Sequence, residues 1–382
     1  MAFCDTFSYQ LQNKALGRGQ IPFQTVILLL GDSGSFFKVL NNLYLYIPLL
    51  TMALMSREYS SGSIKLLYSS PVTNFQIIGG KFLAMMLYGG LMLVILLLQV
   101  VFAFIFVKNL DIPLILSGLL GIYLVLCAYS AIGLFMSTLT SYQIVAAIGT
   151  FAVLMVLSMV GGWWQDYDFI RDVTYWLSMP GRSGKFIAGL ICSEDVLYFV
   201  IVVCLFLALT IIRLNSVRQK IRFVITLGRN IGVIFLACFL GYVSALPTMK
   251  VYHDATATKS NTLTPNSQDT VAKLDGGITI TTYINALDPG ASWYAAPHFL
   301  KPDMARFEKY LRFKPDMKLK YVYYYDTLLG VEPSRYMQTK SLKERAHEAM
   351  TIYGLDSTKV LTPEQIRAKI DLVREDNWFV RV

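Results

Sequence analysis

The stretch FLAMMLYGGLMLVILLLQVVFAFIFV, residues 82–107, contains no charged side chain. A helix needs about 20 apolar residues to cross the hydrocarbon core of a bilayer. Phe82–Val107 exceeds that, so it reads as a membrane span. Five further stretches qualify around it: Phe36–Met55, Ile112–Leu139, Ile144–Gly161, Val196–Ile212 and Phe223–Leu246. Phe36–Met55 carries Lys38, Asn41, Asn42 and Pro48, but Leu43–Met55 is apolar apart from Thr51 and its tyrosines. Val196–Ile212 is short, and Tyr198 suits an interfacial anchor. Six spans are predicted.

Composition agrees. Of 382 residues, 55% are hydrophobic and only 15% charged, with mean hydropathy +0.50. Soluble domains average about 25% charged, and disorder needs low hydrophobicity. The charge is also uneven. Residues 1–248 hold 15 Lys and Arg and nine Asp and Glu; residues 249–382 hold 19 and 16. A soluble-like part therefore begins near Pro247. The net charge of +9 reads as membrane topology, and no nucleic-acid partner is inferred. The five cysteines show no Cys-x-x-Cys spacing, which argues against a zinc site or a disulfide framework.

Basic residues favour the cytoplasmic side. Arg57, Lys65 and Lys81 face only Glu58 between the first two spans, and Arg213, Arg218, Lys220 and Arg222 stand without an acid between the last two. If the spans alternate, both loops share a side. This predicts residues 57–81 and 213–222 in the cytoplasm, with 1–35 and 247–382 outside. The predicted boundaries are an N-terminal segment 1–35, a membrane domain 36–213, a basic linker 214–222, an extra span 223–246 and an outside domain 247–382.

No span carries an acid in its interior, and no histidine precedes His253. Ion-coupled transport depends on such groups, so a secondary transporter is disfavoured. Two motifs mislead. Gly31-Asp32-Ser33-Gly34 resembles a serine-protease nucleophile segment, but no histidine precedes it as general base. Gly181-Arg182-Ser183-Gly184-Lys185 hints at a phosphate-binding loop, yet Met179 and Phe186 stand where the pattern needs Gly and Ser or Thr. No nucleotide, cofactor or metal site is expected on the chain, and no catalytic residue; it is not expected to be an enzyme.

The loop after the first span is the most informative segment. It runs Ser56-Arg57-Glu58-Tyr59-Ser60-Ser61-Gly62-Ser63-Ile64-Lys65-Leu66-Leu67-Tyr68-Ser69-Ser70-Pro71-Val72-Thr73-Asn74-Phe75-Gln76-Ile77-Ile78-Gly79-Gly80-Lys81. Ser63–Ser69 reads as a short helix with Ile64 and Leu67 on one side, stopped by Pro71. Thr73–Ile78 reads as a second short amphipathic piece. Such pieces suit docking to a partner; an interfacial loop holding basic residues against lipid is the plain alternative.

Arg57-Glu58, Gly62-Ser63, Leu66-Leu67, Ser70-Pro71 and Gly80-Lys81 resemble the signature loop of ABC-2 type transporter permeases. The resemblance implies a coupling loop made of Arg57, Glu58, Gly62, Ser63, Leu66, Leu67, Pro71, Gly80 and Lys81. It implies a separate cytoplasmic ATPase that carries ATP and Mg, and a homodimer or pseudo-dimer of permeases. It implies a bacterial inner membrane setting and an export-type activity. The family's re-entrant outside segment is similar to Trp163–Asp195. Its first span would precede residue 1, with Met1–Phe7 as the tail.

Asp254-Ala255-Thr256, Lys259, Asn261-Thr262-Leu263-Thr264, Val271–Leu274 and Ile278–Asn285 resemble the start of the auxiliary subunit of gliding-motility-type ABC transporters. The chain then looks like permease and auxiliary subunit in one polypeptide. Read from its residues, the outside part alternates helix and strand. A helix starts at Thr264-Pro265 and ends at Asp275-Gly276-Gly277. A strand follows at Ile278–Ile284, then a helix at Pro302–Phe313 and a strand at Lys318–Asp326. The last two elements are a helix at Leu342–Tyr353 and a strand at Trp378–Val382. This alternation predicts an α/β layer domain. His253, His298 and His347 are scattered, and Tyr321–Tyr325 reads as strand in preference to a carbohydrate-binding face. The expected fold class is a polytopic α-helical domain followed by an extracytoplasmic α/β domain, incomplete at both ends. The expected function is an ATP-driven permease subunit. The alternative is a membrane-anchored envelope-assembly or motility-associated protein without transport.

Overall fold

The computed structural model describes residues 25, 29–31, 34–106, 110–162, 173–174, 176–219, 221–246, 249–274, 276–288, 300–327, 340–370 and 379–381. The expectations for residues 1–24, the Gly31–Gly34 motif as a whole, the first part (163–172) of the Trp163–Asp195 segment, His298 and Trp378 lie outside them. The chain forms two compact units. One comprises residues 1–161 and 177–261; the other comprises residues 162–176 and 262–382.

The first unit is helical. Its elements are α1 (Ser35–Thr51), α2 (Ala53–Ser61), α3 (Ile64–Ser69), α4 (Asn74–Phe106), α5 (Ile112–Leu139), α6 (Gln143–Met159), α7 (Met179–Ile187), β1 (Leu190–Cys192), α8 (Ser193–Gln219), α9 (Phe223–Ser244) and β2 (Tyr252–Asp254). Among the described residues, five helices are long and apolar enough to cross a membrane: the α1–α2 pair, α4, α5, α8 and α9. The expected fourth span differs. Its helix, α6, has 17 residues and continues only as the 3₁₀ turn Val160–Gly162. Two other predicted spans are longer than their apolar runs. α4 absorbs the amphipathic piece 73–78 as its first turns, and α8 extends through polar residues at both ends.

α5 occupies the centre, packed by α1, α2, α4, α6, α7 and α8, while α9 packs on α8. Small residues explain the central place of α5. Without a hydrophobic drive between helices in lipid, close approach of backbones supplies the packing. A Cβ on Gly121 would come within 2.5 Å of the Phe186 Cβ, and one on Gly133 within 2.0 Å of the Thr51 Oγ1. Those positions admit only glycine at this spacing. The faces turned away from α5 expose large apolar side chains, such as Leu91 and Leu98 on α4 and Phe223, Val224 and Phe235 on α9. An apolar face of that extent suits a lipid solvent.

At one end of this unit, β1 and β2 pair antiparallel, Leu190 opposite Asp254 and Cys192 opposite Tyr252. The segment after β2 then folds onto the helices. Asp254 Oδ1 accepts from the Thr256 backbone N–H (2.9 Å) and hydroxyl (2.6 Å), and Oδ2 accepts from the Asn261 N–H (2.8 Å). Ala255 donates to the Gly189 carbonyl (2.7 Å), Ala257 to Asp111 Oδ2 (2.7 Å), and the Asn261 amide to the Ala188 carbonyl (2.7 Å). The compact helical unit thus extends to Asn261.

The second unit mixes helices and strands: α10 (Pro265–Ala272), β3 (Thr279–Asn285), α11 (Leu300–Leu311), β4 (Lys318–Tyr324), α12 (Leu342–Tyr353), α13 (Pro363–Arg367) and β5 (Phe379–Arg381). Each predicted element there has a counterpart, with α13 in addition. The sheet order is β4-β3-β5; β3 pairs parallel with β4 and antiparallel with β5. Thr264, Ser341 and Thr362 cap α10, α12 and α13, the last two in full capping boxes. The Tyr321–Tyr325 run is strand and strand end: Tyr324 is buried, and the Tyr321 hydroxyl donates to Asp303 (2.8 Å).

Candidate functional site

The coupling-loop residues gather at the end of the first unit opposite β1 and β2. Pro48 lacks an N–H and interrupts the regular helix, and α1 gives way to α2 at Met52. Ser137 of α5 spans this joint. Its Oγ accepts from the N–H groups of Met55 (2.8 Å) and Ser56 (3.0 Å) and donates to the Met52 carbonyl (3.0 Å). The joint is therefore fixed from outside the helix.

α2 carries Arg57 and Glu58 in its last turns and ends at Gly62, whose φ of 74° is left-handed. A side chain at that φ costs about 1–2 kcal/mol, which accounts for glycine here. Ser63 starts α3, and the hydroxyls of Ser61 and Ser63 lie 2.9 Å apart. α3 is amphipathic as expected. Ile64 is buried, and Leu67 and Tyr68 pack against a core of Met55, Ile64, Ile78, Phe82, Cys127, Ala131, Leu134 and Leu214. Lys65 and Leu66 face outward, with Leu66 74% exposed.

Two anchors hold the loop. Lys81 Nζ reaches back to Glu58 Oε1 and to the Leu54 carbonyl, each at 2.5 Å. This joins the one acid of the predicted set to its last residue, and both side chains are about four-fifths buried. The second anchor comes from α8. Arg218 donates to the carbonyls of Tyr68 (2.8 Å) and Val72 (3.4 Å) and to the Asn74 side chain (3.2 Å), with its guanidinium 5.6 Å from the centre of the Tyr68 ring. Asn74 in turn donates to Asn215 Oδ1 (2.6 Å). Sequence reading placed Arg218 among basic linker residues and passed over Tyr68, Asn74 and Asn215. The available signal was an arginine in the second basic loop on the same predicted side.

Of the nine predicted residues, Glu58 and Lys81 meet directly, Gly62 and Ser63 form the turn, and Leu67 joins the core. Arg57, Leu66, Pro71 and Gly80 are exposed. A Cβ on Gly80 would meet nothing within 4 Å, so packing does not require glycine there. Val72 and Phe75 extend the exposed face; Phe75 is 72% exposed. The site thus presents apolar side chains beside the cations Arg57 and Lys65. Such a surface can receive a partner; it contains no nucleophile and base in contact.

The opposite end holds a different cluster. The Gly181–Lys185 segment lies within α7, with no phosphate-binding loop. Arg182 is buried, donates to Asp195 Oδ1 (2.7 Å) and Glu194 Oε1 (3.4 Å), and lies over the Tyr198 ring at 4.5 Å. Lys250 pairs with Glu194 at 2.8 Å. Among the described residues, no group of His, Cys, Asp and Glu is arranged to hold a metal ion.

Comparison with known proteins adds one finding. Searches of curated proteins and of solved structures gave no significant match. Residues 37–165 match the sequence model of the family described as ABC-2 family transporter protein. The matched segment contains the loop 57–81 and runs from α1 through α6. It does not reach residues 254–285, on which the resemblance to the motility-type auxiliary subunit rests. The family match and the apolar helices together support a multi-pass membrane permease whose membrane part carries an ABC-2 type domain.

Proposed function

We propose that the chain is the permease subunit of an ATP-driven exporter, coupled through residues 57–81 to a separate cytoplasmic ATPase. The carrying observation is the loop itself. Its inner face is packed and doubly anchored, while Leu66, Val72 and Phe75 are left exposed beside Arg57 and Lys65. ATP binding closes the partner. Pressure on α3 then passes through Glu58–Lys81 to α2 and α4, and through Arg218 to α8. Two permease copies form the path. The chain itself binds neither ATP nor Mg.

The proposed topology puts this loop in the cytoplasm of a bacterial inner membrane and residues 247–382 outside. Helix lengths support alternation of six crossings. α6 and its 3₁₀ turn give about 31 Å, close to the ~30 Å hydrocarbon thickness. The segment 252–261 also seats at the end of α5 opposite the loop. On this reading the second unit is an extracytoplasmic accessory domain, in line with its resemblance to the motility-type auxiliary subunit.

The test is photo-crosslinking in intact cells from an unnatural amino acid at position 66, with position 235 on the lipid-facing side of α9 as control. The expected result is capture of a P-loop ATPase from position 66 alone. Capture of extracytoplasmic envelope proteins from position 66 would reverse the topology and favour the assembly reading.

A further inference from the structure

A groove of about 880 Å³ opens between α1, α4 and α5. The register of the helices fixes the depth of its lining. Phe36 lies against Gly118 and Thr51 against Gly133, so α1 and α5 run in the same direction at a constant offset of 82 residues. Gly89 of α4 lies against Leu126 of α5, and α4 runs the opposite way. Ten residues along a helix are about 15 Å. Gln99 therefore lies level with about residue 116 of α5, which corresponds to about residue 34 of α1. Ser35, Lys38 and Gln99 thus share one end of the groove, with Asn42 one turn beyond Lys38. By the same arithmetic Leu96 is level with Lys38, while Tyr46 and Tyr88 share a level about 12 Å further along, where Ile47 and Met85 line the apolar body.

The groove is thus graded over its ~20 Å length: its ammonium and amides lie in the half nearest the N-terminal end of α1, and the other half is apolar apart from Tyr46 and Tyr88. Lys38 is its one charged lining residue among the described residues. Its ammonium has no ion-pair partner among the described residues. An unpaired cation beside a low-dielectric wall calls for an anion. A helix from a second copy would fill the body and leave Lys38 without one. An anionic phospholipid satisfies both parts: its phosphate meets Lys38, between the levels of Gln99 and Asn42, and an acyl chain of one leaflet, about 15 Å deep, lies along Ile47 and Met85.

We propose that this groove is a binding site for a bilayer phospholipid with an anionic headgroup, taken from the leaflet nearest the N-terminal end of α1. It goes beyond the permease reading and does not depend on coupling to an ATPase.

The test uses the full chain in nanodiscs containing a trace of phosphatidylglycerol with a photoactivatable acyl chain. Phosphatidylcholine bearing the same chain is used in parallel, and labelled peptides are mapped by mass spectrometry. Peptides containing Ile47 and Met85 are expected to label several-fold more with phosphatidylglycerol, while the α9 peptide containing Phe235 labels equally with both. Lys38→Gln, a change at an exposed position, should reduce the groove labelling about fivefold. Met92→Trp, which fills the groove, should abolish it and leave the α9 signal intact. Equal labelling by the two lipids, or no loss in Lys38→Gln, would overturn the proposal. So would crosslinking of a second copy through the groove in place of lipid.

Discussion

The two ends of the helical unit are built on opposite principles. At the β1–β2 end, Arg182 is buried among Asp195, Glu194 and Tyr198, and the 254–261 segment is tied to Asp111, Ala188 and Gly189 by backbone and side-chain hydrogen bonds. At the other end, the loop 57–81 rests on two anchors, and both leave a large apolar face exposed. A buried ion pair resists disruption because either partner alone is an uncompensated charge. The Glu58–Lys81 pair keeps about a fifth of each side chain exposed, against 2–3% for Asp195 and Arg182, and so resists less. The first end is suited to stay fixed, and the second is suited to be pushed.

The largest expected effect tests the fixed end. Asp195→Ala leaves Arg182 buried without its nearest acid and should cost about 3–5 kcal/mol. Thermal unfolding in detergent should show a large drop in melting temperature or no folded protein. A melting temperature within a degree of the wild type would break the contrast. Next is the α1–α5 contact: Gly133→Val would force Thr51 away and should cost about 1–3 kcal/mol, read by the same melt. Gly62→Val at the loop turn should cost about 1–2 kcal/mol through its left-handed backbone. Glu58→Gln leaves Lys81 an amide acceptor and the Leu54 carbonyl and should cost about 1–2 kcal/mol, less than Asp195→Ala. If Glu58→Gln destabilises as much as Asp195→Ala, the loop is as rigid as the other end.

The smallest effect belongs to the second unit and depends on pH. Asp326 is buried, which opposes its charged form, but Arg367 at 2.6 and 2.7 Å and the Thr327 N–H outweigh this and hold its carboxyl below the usual range. A depressed carboxyl contributes stability above its unfolded pKa of about 3.9 and loses it as pH falls through the folded value. The melting temperature of the second unit should therefore fall as pH drops below about 4. Arg367→Ala should flatten that dependence; an unchanged slope would remove the ion pair as its cause.

Much of this fold was legible because its signals are local. The charge-free run 82–107 needs no tertiary information to be read as a helix, and Thr264 with Pro265 marks a helix start by local chemistry alone. The amphipathic turn at Ile64 and Leu67 was legible for the same reason. The helix limits were not. Asn74–Ile78 is polar enough to look like a separate piece, yet Asn74 is held by Asn215 and Arg218, and α4 runs on unbroken. The loop's second anchor was hidden because Arg218 lies 150 positions from Tyr68 and only packing brings them together. The Gly181–Lys185 motif misleads for a similar reason: its arginine serves a buried pair with an acid 13 positions on.

The central claim is that the exposed loop face is an ATPase-docking surface. Its most direct test is purification of the full-length protein from native membranes in mild detergent, with quantitative mass spectrometry of what accompanies it. The wild type should carry a stoichiometric P-loop ATPase. Leu66→Glu and Phe75→Glu should lose it while melting as the wild type does, since both side chains are exposed. An ATPase retained in both variants, or envelope proteins recovered with no ATPase, would contradict the account.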